Sequence, residues 1–105
     1  MNFNKLVRDK IPEILKNKGS VIETYICDDQ EYAERLKAKL QEEVEEFLQD
    51  DTPEELADIL EVVYALAKFK KLSEASLNTL RDEKLQKRGA FDKKIVLTKA
   101  TKVEL

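Results

Sequence analysis

Residues 28–71 carry two long helix-period segments separated by a break only a few residues wide, at Thr52–Pro53. A connection that short makes the two helices antiparallel neighbours. The first segment, DDQEYAERLKAKLQEEVEEFLQ, opens at Asp28 or Asp29 and ends near Gln49. The second, TPEELADILEVVYALAKFKK, opens at the break. In such a hairpin, residues whose numbers add to one constant sit at one height. Glu46 and Glu55 form one such pair, and Glu43 and Asp58 form another with the same constant. The two levels lie roughly 4.5 Å apart at 1.5 Å rise per residue. Within each helix the members are three residues apart and share a face. The register therefore predicts that Glu43, Glu46, Glu55 and Asp58 point into one small volume.

Position around each helix supports that reading. Glu55 aligns with Ile59, Val62 and Leu66, and Glu43 lies beside the stripe of Leu36, Leu40 and Phe47. Both acids sit at an apolar boundary, whereas Glu45, Glu54 and Glu61 face solvent. Carboxylates converging in a partly buried place repel one another and raise their own pKa values. A divalent cation removes that conflict. All-oxygen ligands, with no histidine and a lone Cys27, favour Mg²⁺ or Mn²⁺ over zinc. A plainer origin exists for one member. Thr52-x-x-Glu55 is a capping box with Pro53 at the favoured first position, and acids in a first turn suit the helix dipole. Against a purely solubilising role stands the charge pattern. Ten acidic residues and no basic one lie between Lys39 and Lys68. Glu42/Glu46 and Glu43/Glu46 are like-charge pairs, each unfavourable by roughly 0.2–0.5 kcal/mol.

The rest of the chain frames this hairpin. DKIPEILKNKG reads as a short first helix with Asp9 as N-cap and Gly19 at its end. SEASLNTLRDEKLQKR reads as a fourth helix, capped by Ser73 and closed by Gly89. SVIETYIC and KKIVLTK are β-branched and read as short strands that pair as a two-stranded ribbon. The fold expected is mainly α, a single domain over 1–105, with the helical hairpin forming a four-helix-bundle core. Leu56, Ile59, Leu60, Val62, Val63, Leu66 and Ala67 cover well over half the circumference of the third helix. One partner helix cannot cover so wide a face, so a second copy of the chain is expected on it. Tyr32 and Tyr64 read as packing residues, Cys27 as a residue buried in the first strand, and Phe91 as a contact closing the fourth helix.

Composition narrows the function classes. A net charge of −3 gives no global attraction for nucleic acid or anionic membrane. The apolar runs are too short to span a bilayer, and MNFNKLVRDK lacks the apolar core of a signal peptide. A cytoplasmic address is the default expectation. Without histidine, any catalysis rests on carboxylates, lysines, arginines or a metal they hold. Eight basic residues against three acidic ones run from Arg81 to Lys102, and Lys5, Arg8 and Lys10 add cations at the start. An acidic centre with basic ends suits a phosphate ester, where metal bridges oxygens and cations neutralise the rest. No P-loop or dinucleotide fingerprint is present, so side chains would have to build a phosphate site.

EEVEE followed by EELAD resembles the E-E-x-x-E … E-x-x-D pattern of MazG-like, all-α nucleoside triphosphate pyrophosphohydrolases. KLVRDKIPEIL at the start and KLQKRGAFDKKIVL at the end resemble a house-cleaning subgroup of phosphoribosyl-ATP pyrophosphohydrolase-like proteins. The resemblance spans essentially the whole chain. It implies a helical bundle assembled as a dimer or higher oligomer, and Mg²⁺-dependent cleavage between α- and β-phosphates to a monophosphate and pyrophosphate. It also implies Glu43, Glu46, Glu55 and Asp58 as metal ligands and Glu42 as a helper that orients a ligand or the attacking water. Only eight residues separate Glu46 from Glu55, fewer than in many relatives, which leaves less loop for a base pocket.

Taken together, the expectation is a metal-dependent nucleotide pyrophosphohydrolase. Glu42 or Glu46 would accept the proton, and Arg8, Lys10, Lys84 and Arg88 would meet the phosphates. The alternative is a helical oligomerisation or regulatory module that binds metal or nucleotide without turnover. A DNA-binding role is disfavoured by the acidic centre and the lack of a helix-turn-helix pattern.

Overall fold

A computed structural model describes residues 4–102. The chain divides into two compact units, Met1–Glu74 and Ala75–Leu105. Four helices form among the described residues: α1 (Ile11–Asn17), α2 (Asp29–Asp50), α3 (Pro53–Phe69) and α4 (Glu74–Arg88). No described helix is long and apolar enough to cross a membrane.

Local chemistry sets the helix boundaries. Asp28 is extended and its carboxylate accepts from the Glu31 N–H at 2.8 Å, which opens α2. At the far end Asp51 turns left-handed, with its N–H on the Phe47 carbonyl. Thr52 is extended and Pro53 starts α3, so two residues reverse the chain. Gly19 and Gly89 both take positive φ just past helices, as expected for C′ glycines. Asp9 does not cap α1. Lys10 occupies that position without a side-chain bond, because the turn is already closed by the Ile11 N–H on the Arg8 carbonyl.

The α2–α3 hairpin is the framework of the first unit. Leu36 of α2 and Val62 and Ala67 of α3 are its buried apolar residues. Tyr32 of α2 meets Phe69 of α3 edge-to-face, with centroids 5.7 Å apart, so its role as a packing residue stands. The broad apolar face of α3 is covered only in part: Leu56 remains 51% and Leu60 48% exposed. Residues 4–10 run beside the hairpin and are tied to it by side chains described below.

Three further sequence expectations are corrected. Residues 20–27 and 93–99 contain no strand, and no ribbon forms among the described residues. Val21 and Ile26 are almost fully exposed, and Ile95, Val96 and Leu97 are about four-fifths exposed. β-Branched composition favours a pleated surface only where neighbours cover it, and neither segment has that cover. Cys27 accordingly lies half-buried in an irregular segment. Phe91 is 98% exposed and closes nothing.

Lys71 ends α3 with φ 65°, and Leu72 returns its N–H to the Ala67 carbonyl. A side chain in this region is strained, while glycine is not. Lys71→Gly is expected to stabilise the fold by about 0.5–1 kcal/mol, read as a thermal midpoint raised by a few degrees.

Candidate metal centre

The hairpin register delivers most of the predicted cluster. Glu43, Glu55 and Asp58 each offer a carboxylate oxygen, and these lie within 4.8 Å of one another. Glu43 is only 7% exposed, the one buried charged residue among those described. Glu43 Oε2 and Glu55 Oε2 are both buried without a hydrogen-bond partner. Buried polar atoms are rarely left unpaired. Two such oxygens on members of one carboxylate cluster constitute a demand for a cation or donor.

Glu46 belongs to the neighbourhood but not to that triad. Its charge is close enough to perturb Glu43. The Glu43 carboxyl is pushed above the usual carboxylate range by burial first and then by Glu46, with Lys39 pulling the other way. Glu55 is raised by burial first, then by Asp50 and Asp58. The capping-box explanation for Glu55 weakens here. Thr52 makes no side-chain cap bond, although the Glu55 N–H reaches the Thr52 carbonyl at 3.2 Å. Glu55 Oε2 is buried and has no hydrogen-bond partner.

Cations reach the cluster from the N-terminal segment and from α2 itself. Arg8 Nη2 lies 2.7 Å from Asp58 Oδ1, and Lys5 Nζ donates to Glu42 Oε1 at 3.0 Å. Lys39 lies 3.4 Å from Glu43 Oε1 and donates to Glu42 Oε2 at 3.5 Å. Held chiefly by Lys5, Glu42 sits below the ordinary carboxylate range. Lys39 was not singled out by sequence, although its spacing of three and four to Glu42 and Glu43 was legible. Nothing local signals Lys5, which acts across 37 residues.

The segment that carries Arg8 is fixed on α2. Arg35 donates to the Asn4 carbonyl at 2.9 Å and to Glu31 at 2.6 Å, and Tyr25 also donates to Glu31. The segment and the hairpin enclose a groove of about 360 Å³, with Arg8, Lys10 and Lys39 along it, Glu43 and Asp58 in its wall, and Leu36 and Val62 beneath. Lys10 is exposed there. A larger hollow of about 500 Å³ at the end of α3 is lined by Tyr64, Lys68 and Lys71 and holds none of the predicted ligands. Lys84 and Arg88 lie on α4, both exposed, in the second unit.

No family model, curated protein or solved structure matches the chain.

Chemically, the donor set is all oxygen, anionic and partly desolvated. It fits a hard divalent cation such as Mg²⁺ or Mn²⁺ and offers nothing for a soft metal. Lys39→Gln is expected to push Glu43 further up, and to destabilise the fold by about 1–2 kcal/mol at neutral pH by removing its charged partner. Thermal denaturation against pH reads the change, which should fade in acid as Glu43 protonates.

Proposed function

We propose that the chain is a Mg²⁺-dependent nucleotide pyrophosphohydrolase of the MazG-like kind, hydrolysing the α–β anhydride of a nucleoside triphosphate or phosphoribosyl-ATP-like substrate. The observation that carries this reading is the convergence of Glu43, Glu55 and Asp58 with two buried, unpartnered oxygens, flanked by Arg8 and Lys10 in one groove. Glu43, Glu55 and Asp58 would hold the metal, with Glu46 completing the set. The ion would polarise phosphoryl oxygens and offset the charge that builds on them.

The chain's own residues divide the remaining work. Glu42 is engaged on both oxygens, by Lys5 and by Lys39, and is held ionised. Such a carboxylate is a weak base, so Glu42 orients its neighbours and Glu46 takes the proton of the attacking water. Arg8 and Lys10 stand where the leaving pyrophosphate would gather charge, and a guanidinium can hold two phosphate oxygens at once. The exposed Leu56 and Leu60 support a homodimer or higher oligomer in which two hairpins form a four-helix bundle. Sedimentation at micromolar concentration should then show no monomer. No membrane or nucleic-acid partner belongs to the proposal, and a cytoplasmic location does.

The test is pyrophosphate release from a panel of canonical, oxidised and deoxynucleoside triphosphates with Mg²⁺ or Mn²⁺. Release of pyrophosphate and monophosphate in equal amounts, abolished by a chelator, is the expected result. Metal and nucleotide binding with no turnover on any substrate would instead favour a non-catalytic regulatory module.

A further inference from the structure

The N-terminal segment contributes two of the four cation contacts on the carboxylates, and they land on residues with distinct roles. Arg8 pairs with Asp58, a member of the triad, and Lys5 pairs with Glu42, the orienting residue. Both cationic side chains are about half exposed, at 55% for Arg8 and 43% for Lys5. Pairs this exposed are weak and exchange readily. The backbone behind them is better secured, because Arg35 holds the Asn4 carbonyl and is itself fixed by Glu31 and Tyr25. A pinned backbone carrying loosely held cationic tips is built for the tips to change partners without the segment moving.

We infer that Arg8 is the resident counter-ion of Asp58 and is exchanged for the divalent cation when a triphosphate arrives. This rests on the metal-dependent reading above. A guanidinium and a dication on one carboxylate repel each other, so Arg8 opposes the binding of metal by itself. A triphosphate in the groove supplies the anion that Arg8 then takes, and Asp58 is released to the metal. Glu43, nine-tenths buried with an unpartnered Oε2 and clustered with Asp58, supplies the demand for the cation that drives the exchange. Metal and nucleotide thereby bind cooperatively, and metal without nucleotide is held more weakly. Arg8 is a positioning residue whose two partners are alternatives.

The experiment measures Mn²⁺ binding to the full chain by electron paramagnetic resonance, alone and with a non-hydrolysable α,β-methylene nucleoside triphosphate. Arg8→Gln should bind lone Mn²⁺ about tenfold more tightly than wild type, and should bind the analogue with Mn²⁺ about tenfold more weakly. Arg8→Lys keeps the charge, and should leave the lone-Mn²⁺ affinity within about threefold of wild type. Helical circular dichroism on each variant establishes that it is folded, and the exposed position of Arg8 makes unfolding unexpected. Lone Mn²⁺ bound no more tightly by Arg8→Gln than by wild type overturns the exchange while leaving the metal site standing. Equal tightening in Arg8→Gln and Arg8→Lys also overturns it, because charge would not be the cause. Absence of Mn²⁺ binding to every form, with or without analogue, overturns both the exchange and the metal-dependent function.

Discussion

Asp58→Asn is expected to lower pyrophosphate release by about a thousandfold while leaving the fold intact. The carboxylate belongs to the triad with Glu43 and Glu55, and it is the member in contact with Arg8. Losing a metal ligand removes several kcal/mol of transition-state charge stabilisation, at 1.36 kcal/mol for each tenfold in rate. The fold should tolerate it. The Arg8–Asp58 pair has side chains 55% and 40% exposed, and such pairs contribute about 0–1 kcal/mol. The loss should fall on kcat more than on KM, because Asn leaves the groove and its cations in place. Glu54→Gln, an exposed position one residue from Glu55 on α3, serves as the control and should keep activity within about twofold, as surface changes do. Steady-state kinetics with Mg²⁺ on both variants provides the check. Activity in Asp58→Asn close to wild type would remove the triad from the mechanism.

How much of this site the sequence reveals depends on distance along the chain. The hairpin was legible because Asp28, Thr52 and Pro53 are local signals with local consequences. Its register followed from the shortness of the break, and with it the meeting of Glu43, Glu55 and Asp58. Glu46 was placed with them by counting, but its carboxylate stands beside the triad, since a helix pair turns its faces by more than a height rule can express. The cations were legible only as a class. The middle of the chain lacks them, and Lys39 at its edge and the N-terminal segment provide them. Nothing in residues 4–10 specifies that Arg8 should reach a residue 50 positions away. The ribbon failed for a related reason. β-Propensity in residues 20–27 and 93–99 describes a surface waiting for cover, and the described chain provides none. In place of a strand, Tyr25 uses its hydroxyl to hold Glu31, and so helps to fix the segment that carries Arg8.

Glu43→Gln should make the metal-free protein more stable at neutral pH and at the same time abolish its stabilisation by Mg²⁺. Burial and the charge of Glu46 raise the Glu43 carboxyl in the folded state. A folded-state pKa above the unfolded one means that the native state holds the proton more tightly. The corresponding stability is complete below the unfolded carboxylate value, about 4.3, and is lost as pH rises through the raised folded value. Glu55 contributes with the same sign. Glu42 and Glu31 are lowered, Glu42 chiefly by Lys5 and Glu31 chiefly by Tyr25, so their contributions are lost instead as pH falls through their depressed values. After chelation, wild type should therefore lose stability from the Glu43 and Glu55 side between mildly acid and neutral pH. The neutral amide of Glu43→Gln removes the larger part of that fall. An ionised oxygen buried without a partner costs about 1–3 kcal/mol, so a midpoint rise of roughly 5 °C at pH 7.5 is expected, shrinking toward zero near pH 4. Saturating Mg²⁺ should act in the opposite sense on the two proteins. At a hundredfold excess over Kd it adds about 2.7 kcal/mol to wild type, increasingly so as pH rises and the ligands deprotonate, and close to nothing to the variant. Differential scanning calorimetry from pH 4 to 8, with chelator and with Mg²⁺, reads both halves. A variant that is less stable than wild type at pH 7.5 after chelation, or one that Mg²⁺ stabilises as strongly as wild type, would show that Glu43 is an ordinary buried acid and not the innermost ligand of a metal site.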